Sequence, residues 1–328
     1  MRVSRPQILR VIVAALALFG VCAILPVVRT PTAEATTPLW LQHHYRKIGY
    51  VRSFKLDLID ELPAPPQLVI IGGSRATRFE PNLIQHLTGL SAMNCAVSNC
   101  RPEDAWAYTN YLFSRAPQVK LHCFWCLQVS ALADTTFAAG LVYDKRLSRS
   151  FPADLVAQQA KLLGNVRIKD LLMCNHFTAR GRLVWCLYDK QRAEGVTLDQ
   201  SLDHWIAVHV PQQPLTDPVP QTRARSYLEA TLALYNKHGV EPCLVIMPFQ
   251  PRALAALRAV EGWQTRLDEF KAYLQSLQST YDFQLLDYTD ISAFGGHPQD
   301  FYDGAHITLA NARLLLRTAI TAAPECFH

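Results

Sequence analysis

The stretch Gln67-Leu68-Val69-Ile70-Ile71, followed at once by Gly72-Gly73-Ser74, constrains what this chain can fold into more than any other part of it. An unbroken apolar, β-branched run held between Pro66 and Gly72 fits a strand buried on both faces, and such strands belong to parallel sheets. The two glycines let the backbone turn sharply into a following helix, with Ser74 presented at the turn. The same rhythm then repeats. Phe79 to Leu87 has helical spacing and ends near Gly89, and Ala92 to Val97 reads as a second strand. Pro102 to Ser114 reads as a helix whose first turn carries Glu103 and Asp104, which suit its positive end. Val119 to Val129 is the third strand. Strand, turn and helix in repetition predict an α/β fold with a parallel sheet and helices on both faces.

The rhythm breaks from Ala133 to Thr222. Helical patterns around Ala153–Leu163 and Thr178–Arg192, then a Pro-rich segment from Pro211 to Pro220, predict a largely helical insertion over about 133–222, placed as a cap. Regularity resumes with a helix at Ala224–Lys237, a strand at Cys243–Met247, a helix at Trp263–Ser279, a strand at Phe283–Asp287 and a last helix at Leu309–Ala322. The main domain is therefore expected over 67–322. At 328 residues, half of them hydrophobic and 18% charged, the chain has the means to bury a large core. Its net charge of +5 is mild and its arginines are scattered, which argues against nucleic acid as a partner.

The N-terminus has a separate logic. Arg2, Arg5 and Arg10 precede an uncharged run from Val11 to Val28, closed by Arg29. A run of that length approaches the ~20 residues a helix needs to cross a bilayer. The basic flank belongs on the cytoplasmic side, which puts everything after Arg29 outside. Residues 1–30 are thus expected to be a cytoplasmic stub and single-pass membrane anchor, and 31–66 a linker and lead-in that ends in the stiff Pro63-Ala64-Pro65-Pro66. Ala33-Glu34-Ala35 supports the alternative of a secreted protein cleaved near Ala35. The apolar run exceeds the ~7–15 residues of a signal-peptide core, which favours the anchor.

Nine cysteines suit an oxidising compartment better than a reducing one. Cys123 and Cys126 form a CxxC inside an apolar strand, where alternate side chains point to opposite faces, so packing or a disulfide is expected there rather than a metal. No metal ligand set is expected elsewhere.

Chemistry enters with two separated pieces. A serine hydroxyl needs a positioned imidazole to accept its proton, and an imidazole works better when a carboxylate fixes its tautomer. Asp303 and His306, three apart just before the last helix, offer both from one loop. Ser74 lies at the C-terminal edge of the sheet, where open parallel sheets bind ligands.

Together these pieces resemble the SGNH/GDSL hydrolase superfamily. Gly72-Gly73-Ser74 is similar to its first block, Asn94-Cys95-Ala96-Val97-Ser98-Asn99 to its second, and Asp303-Gly304-Ala305-His306-Ile307-Thr308 to its last. The resemblance spans roughly Leu68–Val129 and Val240–Ile320. It implies a three-layer α/β/α sandwich with a flavodoxin-like sheet. It also implies Ser74 as nucleophile, His306 as base, Asp303 as its orienting carboxylate, and no cofactor. The oxyanion donors it implies are the backbone N–H groups of Ser74 and Ala96. Two departures stand out: Ala96 occupies the place of a glycine, and Gln128 that of a third-block Asn. Gln128 is the candidate for a third donor. Arg75, Arg78 and Asn94 are candidate substrate-binding residues. Trp185, Tyr188 and Trp205 are candidates to line a groove.

The chain looks most like envelope-associated members of that superfamily, including those of polysaccharide O-acetylation. The expected function is therefore a membrane-anchored serine esterase or O-acyltransferase outside the cytoplasm, with an acylated envelope glycan or related ester as partner. The alternative is a non-catalytic glycan-binding or assembly protein on the same fold.

Overall fold

A computed structural model of the protein describes residues 50–132, 139–160, 176–212 and 222–328, all within one unit, Thr36–His328. The expected anchor and cleavage site lie outside the described residues. Among the described residues no helix is long and apolar enough to cross a membrane.

Five strands form one parallel sheet: β1 (Leu68–Gly72), β2 (Ala92–Asn94), β3 (His122–Leu127), β6 (Cys243–Ile246) and β7 (Gln284–Asp287), in the order β2-β1-β3-β6-β7. Each was expected from its apolar run, and the bounds differ by a few residues. The strand pairs to the insertion, β4 (His176–Phe177) and β5 (Leu183–Val184), make a separate antiparallel hairpin. The helices are α1 (Tyr50–Asp60), α2 (Pro81–Thr88), α3 (Pro102–Arg115), α4 (Lys145–Ser148), α5 (Ala153–Ala160), α6 (Cys186–Ala193), α7 (Leu198–His209), α8 (Thr222–Lys237), α9 (Pro251–Arg258), α10 (Trp263–Leu277) and α11 (Leu309–Ala322).

Period-two alternation divides the strands between two cores. Val69, Ile71, Cys123, Trp125, Leu127, Leu244 and Ile246 face one hydrophobic cluster, shared with Tyr108, Leu228 and Leu267 of α3, α8 and α10. Leu68, Ile70, Phe124, Cys126, Cys243 and Val245 face the other, shared with Ile84 of α2 and Leu315 and Leu316 of α11. Cys123 and Cys126 therefore sit in opposite cores, both as free thiols. Among the described cysteines only Cys186 is disulfide-bonded, so its partner lies outside the described residues.

Helix α1 precedes the proline spacer, yet Phe54, Leu56 and Ile59 are wholly buried in the first core. Its Lys55 is buried too. The Lys55 ammonium donates to the carbonyls of Asn94 (2.7 Å) and Gly181, which ties α1 to the end of β2 and to the hairpin turn.

Thr178–Arg192 was expected as one helix. Its first part is instead the β4–β5 hairpin, because Gly181 turns the chain with φ +78° and packs against Asn94, where a Cβ would fall 2.2 Å from the Asn94 carbonyl oxygen. Helix α7 was not read from the sequence, although Thr197 and Gln200 form a capping box before it. Nor was α9, which opens with Pro251 in its first turn behind a Gln250 cap.

Candidate active site

The sheet order makes β1 the point where the chain reverses direction of growth: β2 adds on one side and β3 on the other. Ligands in open α/β sheets bind beyond the carboxyl ends of strands at such a point. Ser74 follows directly on β1. Its approach depends on Gly72, where a Cβ would lie 2.8 Å from both the Cβ and the carbonyl oxygen of Cys126 on β3. No side chain fits there, so β1 and β3 close tightly under the turn.

The second half of the site is a loop beyond β7 that is closed on itself. Phe301 and Ile307 form an antiparallel bridge, and the Tyr302 N–H donates to the His306 carbonyl at 2.8 Å. Two neighbours pin it to the sheet edge. The Gln250 N–H donates to the Gly304 carbonyl at 3.0 Å, and the Arg75 Nε donates to the Ala305 carbonyl at 3.2 Å. Gly304 lies under Trp205 of α7, where a Cβ would meet the indole at 2.3 Å.

This loop brings Asp303 and His306 to Ser74. Asp303 Oδ2 accepts from His306 Nδ1 at 2.8 Å, and a carboxylate can only accept, so the Nδ1 position carries the imidazole proton. His306 Nε2 is then an acceptor, and Ser74 Oγ–H donates to it at 2.9 Å. The other carboxylate oxygen, Oδ1, accepts from the backbone N–H groups of Ala305 (2.8 Å) and His306 (2.9 Å). Burial alone would push the Asp303 carboxyl up. The hydrogen bond and charge of His306, with the two backbone donors, outweigh it and hold the group well below the usual carboxylate range.

A third partner comes from the insertion. The Tyr188 hydroxyl on α6 donates to Asp303 Oδ2 at 2.8 Å. Trp185, one turn earlier, meets the His306 ring edge to face with centroids 4.7 Å apart and stacks on Tyr188 at 4.9 Å. Trp185 and Trp205, expected as groove residues, are buried. Their role is to pack on the loop that carries Asp303 and His306, not to offer an open platform. Tyr188 was expected only to line a groove; its bond to Asp303 was not legible, because nothing local marks a tyrosine in a polar helix as the partner of a carboxylate 115 positions away.

Other expected site residues are placed differently. Arg75 is buried, donating to the carbonyls of Ala305 and Pro248 and lying 4.1 Å over the Phe249 ring. Burial pushes its guanidinium down to about 9. Arg78 is buried as well and donates to the Leu183 carbonyl (3.2 Å) and the Tyr302 hydroxyl (2.7 Å). Both arginines therefore brace the loops around the site, Arg75 through two carbonyls and Arg78 through a carbonyl and a phenol, while the buried Arg78 Nε has no hydrogen-bond partner among the described residues. Asn94 is not open to a substrate. It is wholly buried, its amide donates to the carbonyls of Ala76 and Phe79, each at 3.0 Å, and its Oδ1 accepts from the Ala96 N–H at 2.9 Å.

That last bond also corrects Ala96: its N–H is engaged by Asn94 and is not a free oxyanion donor. Two donors remain beside Ser74. The Ser74 N–H makes no hydrogen bond to a protein group among the described residues. The Gln128 carboxamide, just past β3, lies against Gly73, with its Nε2 3.5 Å from where a Gly73 Cβ would stand. Among the described residues no cluster of three or more His, Cys, Asp or Glu is placed to hold a metal ion.

No protein-family model matches the chain, and no curated protein does. Among solved structures, a protein from Streptococcus pneumonia described as "a putative platelet activating factor" is similar over 86% of this chain and 95% of its own, at 11% identity and a TM-score of 0.41.

Proposed function

We propose that the protein is an SGNH/GDSL-type serine esterase or O-acyltransferase, its domain a three-layer α/β/α sandwich capped by the insertion. The observation that carries this reading is the unbroken chain Ser74 Oγ–H to His306 Nε2, 2.9 Å, and His306 Nδ1–H to Asp303 Oδ2, 2.8 Å. In the reaction Ser74 Oγ attacks an acyl carbonyl while His306 takes its proton, and the ionised Asp303 stabilises the imidazolium. The Ser74 N–H and the Gln128 amide are the donors left to hold the oxyanion. Collapse expels the alcohol, protonated by His306. Water or a second hydroxyl then attacks the acyl-enzyme, with His306 acting as base once more.

A membrane tether over residues 1–30 places this chemistry outside the cytoplasm, on an acylated glycan or related ester of the envelope. The disulfide at Cys186 supports an oxidising compartment. The engaged Ala96 N–H favours a second reading, a non-catalytic glycan-binding protein on the same fold, since it thins the oxyanion hole.

A fluorophosphonate probe separates the two readings. The purified chain is expected to be labelled at Ser74, and Ser74→Ala to lose labelling completely. Folded wild-type protein that resists the probe would instead support the binding protein, and label that persists in Ser74→Ala would refute Ser74 as nucleophile.

A further inference from the structure

The insertion does more around Asp303 and His306 than cover them. Helix α6 meets the loop at successive points along its length. Trp185, capping its start, packs on His306 and on Tyr302, the latter with centroids 5.5 Å apart. Tyr188 donates to Asp303 Oδ2 at 2.8 Å. Arg192, one turn further, donates to the carbonyls of Phe301 (3.4 Å) and Tyr302 (3.2 Å). Trp185, Tyr188 and Tyr302 pack as a three-ring cluster that hems in the phenol ring, with Tyr188 and Tyr302 centroids 5.0 Å apart.

Two donors thus share one oxygen, since Oδ2 of Asp303 accepts from both His306 Nδ1 and the Tyr188 hydroxyl. A carboxylate that gives part of its charge to a phenol has less to give to an imidazolium. From this geometry we infer that Tyr188 is a positioning residue of the site, supplied by the insertion, that holds the Asp303 carboxylate in line and lowers the basicity of His306. The inference rests on the esterase reading for its consequence, because the reaction begins with neutral His306. The effect on His306 itself does not depend on that reading.

Other charged and titratable groups also face this pair. From the Ser74 turn comes Arg75, whose charge acts on Asp303. From the end of α7 comes His209, which feels both Asp303 and His306 and is itself pushed down by burial. Tyr302 is bound to Arg78, and Asp189 on α6 acts on both of those. All of these stay in place when only the Tyr188 hydroxyl is removed, so the substitution isolates one hydrogen bond.

The test is Tyr188→Phe in the full chain, with two readouts. The first is an NMR titration of the His306 ring, assigned through His306→Gln. The midpoint is expected to rise, because the undivided carboxylate charge favours the imidazolium. The second is the pH profile of fluorophosphonate labelling at Ser74, whose acid limb is expected to move up by the same amount. A His306 midpoint that stays put in folded Tyr188→Phe, with labelling slowed equally at every pH, would leave Tyr188 a packing role only and overturn the inference. A raised midpoint in a protein that never labels would retain the inference and remove the esterase reading. If Tyr188→Phe does not fold, a ring-fluorinated tyrosine at 188 keeps the packing and makes the hydroxyl a stronger donor. There the midpoint is expected to fall, and an unmoved midpoint again overturns the inference.

Discussion

Arg75 carries more of the site than its place in the chain suggests. An arginine directly after Ser74 reads as an exposed positive group at a ligand edge, and nothing local says otherwise. Its acceptors, the Ala305 and Pro248 carbonyls, stand 230 and 173 positions away, so its burial is a property of the closed fold alone. Ser74, Asp303 and His306 were legible for the opposite reason: a strand followed by glycines, and an Asp-x-x-His before a helix, are local patterns with a chemical meaning. Arg75→Met keeps an apolar stem but removes the guanidinium that lies over Phe249, leaves two carbonyls without a donor and frees the loop that holds His306. A loss of about 2–4 kcal/mol is expected by urea denaturation. Ser74 labelling is expected to slow more than the loss of folded protein explains. Arg75→Lys should recover only part of either, since an ammonium lacks the planar fork that spans two loops. If Arg75→Met labels at the wild-type rate, the bracing role is wrong.

At the scale of elements, apolar runs disclosed the central strands because a strand buried on both faces is built mostly from apolar residues, whereas β7 at the sheet edge is only half-buried. Elements whose form depends on a backbone conformation were harder to read. Gly181 turned an expected helix into the β4–β5 hairpin, and that hairpin gains its place through Lys55 of α1. The lysine is wholly buried, and burial pushes its ammonium down to about 7, against an unfolded value of roughly 10.4. Between those two values the unfolded chain holds a proton that the folded chain has released, so this group adds stability as pH rises through that window. The neighbouring Cys95 acts in the reverse sense, its thiol pushed up to about 12 by burial. The informative quantity is therefore wild type compared with Lys55→Met. The variant is expected to be less stable at pH 7, having left the Asn94 and Gly181 carbonyls unsatisfied. The gap should widen by up to about 1 kcal/mol per pH unit towards pH 9, measured by urea unfolding. A gap that is constant with pH would mean that Lys55 stays charged throughout the window.

Across the whole molecule, the sheet separates a chemical edge from an anchoring edge. Ser74, Gln128, Pro248 and the Asp303–His306 loop all lie beyond the carboxyl ends of strands. The segment Pro324–His328 closes the opposite end of β3. There the His122 Nδ1–H donates to the Cys326 carbonyl at 2.9 Å, and the Lys120 ammonium donates to the His328 carbonyl at 2.8 Å. Cys326 and Phe327 are wholly buried in the second core, and Phe327 lies 6.0 Å from Phe124 between ring centroids. Nothing local in an apolar strand marks His122 for this bond, because its acceptor comes from the turn Pro324–Phe327, 204 positions away. β3 spans five residue steps between the two ends, roughly 16 Å at the usual rise per residue. Contacts at one end should therefore stabilise the fold without shaping the other. Phe327→Ala removes an aromatic side chain from a closed core and is expected to cost about 3–5 kcal/mol in urea unfolding. At a temperature where the variant is still folded, its rate of Ser74 labelling and the His306 midpoint should equal those of the wild type. A shift of either with the fold intact would mean that α11, which joins the Asp303–His306 loop to the Pro324–Phe327 turn, transmits strain along its length.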